Sequence, residues 1–153
     1  MFNSTINLVN FVKLTPTAQA PTQETAMAAG FDLHADLEGT NILAIPAGEV
    51  RKISTGIAIA LPEGTFGAIY ARSGLATKRG LAPANKVGVI DSDYRGEVKV
   101  ALYNHSTEVR TIAKGERVAQ MVIAPYLKVE YEEVCDLTDT SRGEGGFGST
   151  GKK

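Results

Sequence analysis

Asn85-Lys-Val-Gly-Val-Ile-Asp91-Ser-Asp93-Tyr94-Arg95-Gly96-Glu97, continuing as Val98-Lys99-Val100-Ala101-Leu102-Tyr103-Asn104, is the stretch around which the rest of the chain is arranged. Its second half places Val98, Val100 and Leu102 on one face at period two, the pattern of a half-buried strand. Its first half is a second apolar run, Val87 to Ile90, ending in acidic and aromatic residues before a turn at Gly96. Together the halves read as a β-hairpin with backbone donors and acceptors along its inner edge. Asp91, Asp93 and Tyr94 fall where the chain turns, so the unit can take a flat polar ligand and hold a carboxylate beside it. A plainer reading competes, because Asp and Gly gather at turns through Asx hydrogen bonds and positive φ alone. A calcium loop does not: Asp91, Asp93 and Gly96 suit the first, third and sixth positions of an EF-hand, but Arg95 and Leu102 stand where oxygen ligands are required.

Outward from this stretch, 153 residues with 43% hydrophobic side chains and a formal net charge of -1 describe one soluble domain able to bury a core. That charge balance carries no nucleic-acid footprint, which needs a basic stripe, whereas a small anion needs only a few local Arg and Lys. The single cysteine, Cys135, precludes an internal disulfide and suits a reducing compartment. The opening residues lack a basic segment and their apolar run is broken by Asn, unlike a signal peptide. No stretch approaches the roughly 18 apolar residues of a spanning helix, so no membrane contact and a cytoplasmic location are expected.

Short strands with turn punctuation fill the chain. Ile6 to Leu14 reads as extended and Thr15 to Gly30 as a connector. Ile42 to Ile45, Glu49 to Ser54, Ile57 to Leu61 and Phe66 to Arg72 are strand-length runs separated by Pro46-Ala-Gly48, Thr55-Gly56 and Pro62-Glu-Gly64. Val109 to Ile112, Arg117 to Ile123 and Leu127 to Val134 complete an all-β pattern expected to form a barrel or jelly roll. One helical turn or two is expected from Ser73 through Lys78, stopped by Gly80.

From Asp136 the periodicity ends, and Leu137 and Phe147 are the only apolar side chains left. Such a segment buries too little surface to offset its ordering entropy, so residues 1–136 are expected to form the domain and 137–153 a flexible glycine-rich arm. Phe147, set among glycines with no core to join, lies beside two hydroxyls and Arg142. Gly146 to Lys152 matches the start of a phosphate loop, but Lys153 replaces the Ser or Thr and no helix follows.

Two further positions stand out. Arg72-Ser73-Gly74 lies where a strand gives way to a helical turn, so Ser73 and the N-H groups after it either face an anion or simply cap the helix. Gln120 shares a strand face with Val118 and Val122, where an amide costs free energy unless it caps a backbone group or addresses a ligand. His34 and His105 have no paired ligand spacing and read as structural.

Five segments in this order, Ala29-Gly30-Phe31-Asp32-Leu33, Ala71-Arg72-Ser73-Gly74-Leu75-Ala76, Gly88 to Glu97, Gly115-Glu116-Arg117-Val118-Ala119-Gln120 and Arg142 to Gly151, resemble the five motifs of trimeric dUTPases. The likeness runs from about residue 28 to 151, with the second and third motifs at bacterial-type spacing and Phe31 where many members carry Tyr.

The resemblance implies distorted jelly-roll subunits in a homotrimer that cleaves dUTP to dUMP and pyrophosphate with magnesium, limiting uracil in DNA and supplying dUMP for thymidylate synthesis. Each of three shared sites would draw on all three chains. Asp91 would be the general base for in-line attack of water on the α-phosphorus, and Tyr94 would lie against the deoxyribose. Asn85, the backbone of Gly88, Val89 and Ile90, and the strand around Lys99 would pair with uracil. Arg72, Ser73, Gly74 and Gln120 would hold the phosphates. From the arm, Phe147 would stack on the base beside Gly148, Arg142 would meet the phosphates, and Ser149 and Thr150 would donate to the γ-phosphate. Magnesium would ride on the triphosphate without a direct protein ligand, Asp32 supporting its waters or an arm residue. The rival readings are a dCTP deaminase or bifunctional deaminase and diphosphatase of the same fold, and a dUTP-sensing module with a regulatory protein partner that no residue identifies.

Overall fold

The computed structural model describes residues 8–147, and within them the chain is mostly β with one short helix. In order it forms β1 (Asn10–Lys13), β2 (Phe31–His34), β3 (Ile42–Ile45), β4 (Val50–Ala60), β5 (Thr65–Tyr70), α1 (Ser73–Arg79), β6 (Leu81–Pro83), β7 (Gly88–Ile90), β8 (Glu97–Asn104), β9 (Arg110–Ala113) and β10 (Arg117–Pro125). One sheet runs β1-β4-β8-β6, a second β2-β10-β5-β7, and β3 with β9 makes a third; every ladder is antiparallel.

The core follows the side-chain alternation. Val98, Val100 and Leu102 of β8 are buried as their period-two spacing requires, and Ile53, Ile57 and Ile59 of β4 join them. Leu33, Ile69, Val118 and Met121 from the second sheet pack into the same cluster, each large aliphatic group contributing about 1.5–3 kcal/mol when fully buried. Asn104 ends β8 inside this core and meets its hydrogen-bonding needs there. Its Nδ2 donates to the Ile45 and Glu108 carbonyls, both at 2.8 Å, while Oδ1 accepts from the N-H and hydroxyl of Ser106. β8 is thereby tied to β3.

Several boundaries differ from the sequence reading. Glu49 to Ser54 and Ile57 to Leu61 are one strand, because Gly56 at φ 66 absorbs a register shift between Ser54 and Ala58 without ending the pairing with β8. β2 and β6 were not foreseen. Asp32 and His34 interrupt the apolar pattern of the first, and the second is three residues ending in proline. Leu127 to Val134 forms no strand. Its exposed residues follow the Tyr126 N-H, which donates to Gly64 at 3.1 Å, and they enter none of the three sheets. α1 runs one residue further than expected and stops at Gly80, left-handed at φ 68, whose N-H donates back to Ala76 and Leu75. No helix among the described residues is long and apolar enough to cross a membrane, and Cys135 is exposed.

Candidate active site

The expected hairpin is two strands of different sheets. β7 pairs with β5, whereas β8 pairs with β4 and β6, so residues 91–96 bridge from one sheet to the other. β8 finds in the eleven-residue β4 a far longer partner than the three-residue β7 could offer, and the two arms part into separate sheets. A cavity of about 490 Å³ opens between them, lined by Val89, Ile90, Asp91, Tyr94, Glu97 and Lys99 among others. Gly88 opens β7 with Asn85 beside it, the amide nitrogen 3.4 Å from where a Cβ on Gly88 would stand. Before this strand, Lys86 adopts φ 65 to reverse the chain out of β6.

Both walls present unpaired main chain. β7 is the last strand of its sheet. β8 meets β6 only from Leu102 onward, with the Ala84 N-H reaching the Ala101 carbonyl at 2.8 Å. Because successive residues of a strand point their N-H and C=O to opposite edges, Lys99 aims its own pair to the same side as Ala101, beyond the end of β6. Val98 faces the other way, where its carbonyl accepts the Thr55 hydroxyl.

The bridging turn is braced from within. The Tyr94 N-H donates to the Asp91 carbonyl at 3.1 Å, and Arg95 Nη1 donates to the carbonyls of Ser92 at 2.7 Å and Tyr94 at 3.0 Å. Glu97, not anticipated from the sequence, anchors the far end: its Oε1 accepts the Gly56 N-H at 3.0 Å and its Oε2 pairs with Lys99 Nζ at 3.1 Å. Lys52 also lines the cavity, from the position on β4 opposite Ala101. Only the pairing register reveals it.

Arg72, Ser73, Gly74 and Gln120 come together elsewhere, around a cradle of about 220 Å³ that also includes Gly30 and Asp32. The cap position of α1 is Arg72, with no side-chain cap bond, so Ser73 is the first helical residue and its hydroxyl is not spent on capping. Arg72 Nε donates to Asp32 Oδ1 at 2.8 Å, and Arg117 Nη1 reaches Oδ2 at 3.3 Å while also pairing with Glu24. Arg117 and Glu24 escaped the sequence reading because their role is to complete an ion-pair chain across elements.

Gln120 does not share the buried face as expected. A bulge between Arg117 and Ala119 shifts the alternation, so Ala119 and Met121 point inward and Gln120 looks into the cradle, its Nε2 donating to the Ala71 carbonyl at 3.0 Å. Gly30 makes room for it, since a Cβ there would stand 2.5 Å from Gln120 Oε1. Behind the cradle His34 is buried, its Nδ1 without a hydrogen-bond partner among the described residues. Burial holds its imidazole below the ordinary value, the Asp32 charge opposing and the Arg72 charge adding to the effect.

The base-sized cavity and the cradle thus share no lining residue. The arm stands apart from both: Arg142 Nε donates to Gly145 at 2.8 Å, and Phe147 is fully exposed at φ 49. Gly148, Ser149 and Thr150 lie outside the described residues.

Comparison with known proteins adds the lineage. The dUTPase family profile matches residues 17–151. The deoxyuridine 5'-triphosphate nucleotidohydrolase of Nautilia profundicola is 51% identical over 140 residues, 92% of this chain and 96% of that protein. Its counterpart from Rickettsia felis is 49% identical over 148 residues, 96% of this chain and 99% of that protein. Among solved structures, the dUTPase of Staphylococcus bacteriophage 80alpha with dUPNHPP superposes with a TM-score of 0.86 at 26% identity, covering 96% of this chain and all of that one. With the family profile spanning most of its length and half of its residues shared with such relatives, the chain belongs to the dUTPase family.

Proposed function

We propose that this protein hydrolyses dUTP to dUMP and pyrophosphate, with the base held between β7 and β8 and the phosphates in the Arg72 cradle of a neighbouring subunit. The observation that carries the reading is the splayed pair of strand edges with Asp91 at their rim. Uracil offers an N3 donor between two acceptors, which main-chain groups of Gly88, Val89, Ile90 and Lys99 can meet. Cytosine reverses two of those groups, leaving buried partners facing like partners.

Asp91 takes the proton from a water whose oxygen bonds to the α-phosphorus as the bond to the α-β bridging oxygen breaks and pyrophosphate departs. Among the described residues no side-chain hydrogen bond engages the Asp91 carboxylate, so both oxygens are available to that water. Arg72, Ser73, Gly74 and Gln120 stabilise the charge that gathers on the leaving group. Tyr94 closes the sugar side of the cavity.

The cradle suits magnesium brought in on the triphosphate: Asp32 and Glu24 are among its lining residues, each already paired with an arginine, and a carboxylate has lone pairs to spare for the waters such an ion retains. When bound, the ion neutralises phosphate charge. Because base cavity and cradle are separate in one subunit, the jelly-roll subunits work as a homotrimer in which each site draws on several chains. Residues 137–153 form the arm, with Phe147 covering the base, Gly148 allowing close approach, and Arg142, Ser149 and Thr150 reaching the phosphates. Closure excludes water.

Pyrophosphate release from dUTP, dCTP, dTTP and UTP, with and without magnesium, tests this. Release confined to dUTP and strengthened by magnesium is expected. Ammonia from dCTP would instead identify a deaminase, and nucleotide binding without turnover a sensing module.

A further inference from the structure

We infer that Gly96 is a positioning residue for sugar selectivity, acting by fixing where the ring of Tyr94 lies; the inference rests on the function proposed above. Tyr94 folds back over the turn it belongs to, and its Oη donates to the Glu97 carbonyl at 3.0 Å. That path carries the hydroxyl end of the ring across Gly96. A Cβ at Gly96 would stand 2.4 Å from Tyr94 Oη, 2.6 Å from Cζ and 3.0 Å from Cε2. Ordinary heavy-atom contacts begin at about 3.5 Å, so any side chain there displaces the ring by about an ångström.

Backbone conformation does not account for this glycine. Gly96 is not among the described glycines at positive φ, so its φ does not demand glycine. What it supplies is space, and the three atoms nearest to that space all belong to the Tyr94 side chain. The ring is a wall of the base cavity and 42% exposed. Moving it disturbs no core packing, so the cost falls on the site and not on the fold. A steric wall rejects one extra oxygen only while it stands in contact with the carbon bearing hydrogen in its place. An ångström of displacement removes that contact.

The test compares kcat/KM for dUTP and UTP in the full-length protein and in Gly96→Ala. The ratio of the two is expected to fall about tenfold or more in Gly96→Ala, the scale on which apolar shape alone discriminates, with the thermal midpoint close to wild type. An unchanged ratio would overturn the inference. Tyr94→Ala with and without Gly96→Ala supplies the control that a merely structural glycine would fail: once the ring is gone, the second substitution should change the ratio less than about twofold. A further drop as large as the single effect would show that Gly96 acts by another route. A Gly96→Ala protein that does not fold would also overturn the inference, because displacing a ring outside the core leaves the fold intact. A wild-type protein that leaves dUTP intact would overturn the proposed function itself, an outcome separate from either ratio.

Discussion

Arg72 Nε rests 2.8 Å from Asp32 Oδ1, joining the start of α1 to the middle of β2. The guanidinium is thereby aimed before any ligand arrives, and Arg117 on the second oxygen keeps the carboxylate itself from turning. We expect Asp32→Asn to lower kcat/KM for dUTP about 10- to 100-fold, chiefly through KM, because a misplaced phosphate clamp loses orientation while the base chemistry survives. Steady-state kinetics with circular dichroism as a folding control checks this.

In the proposed function Asp91 is the one residue asked to move a proton. Asp91→Asn keeps the shape of the cavity rim and removes the basic oxygen, so turnover should drop about 10²- to 10⁴-fold with nucleotide affinity largely intact. Single-turnover kinetics beside equilibrium titration separates the two quantities.

In the proposed function the arm contributes closure. Deleting residues 137–153 should leave a folded trimer that binds nucleotide weakly and barely turns over, measured by sedimentation and pyrophosphate release. Phe147, exposed and without a core to join, should cost roughly 1–3 kcal/mol in complex formation when replaced by alanine, a quantity that titration calorimetry reads.

Asp36 should make the fold less stable in acid. Burial opposes its charge, yet the hydroxyls of Thr15 and Thr17 donate to it and Lys114 lies nearby, so its carboxyl sits below the ordinary 3.8. A carboxyl with a folded pKa below its unfolded one stabilises fully above the unfolded value and loses that contribution as pH falls through the folded value. Asp36→Asn should therefore cost about 1.5–3 kcal/mol at neutral pH. The gap from wild type should close as pH falls below 3.8. Urea titrations at several pH values check the sign.

Much of this was legible in the residues. The alternation of Val98, Val100 and Leu102 declared β8, and Gly80 declared the end of α1, because each follows from local chemistry. β2 was hidden because Asp32 and His34 occupy buried positions that only Arg72, Arg117 and Thr22, distant in sequence, make tolerable. Leu127 to Val134 alternates like a strand but joins none of the three sheets. The site residues were legible as types; their arrangement was not. That the arms around Asp91 belong to different sheets is a matter of pairing, and period-two patterns carry no record of which strand lies alongside.

A crystal structure with a non-hydrolysable dUTP analogue and magnesium tests the central claim most directly. The account predicts uracil between β7 and β8, paired to the main chain of Gly88 to Ile90 and Lys99, with an Asp91 oxygen about 2.6–3.2 Å from a water in line with the α-phosphorus and its leaving oxygen. A base bound outside that cavity, or an Asp91 carboxylate out of reach of any such water, would contradict it.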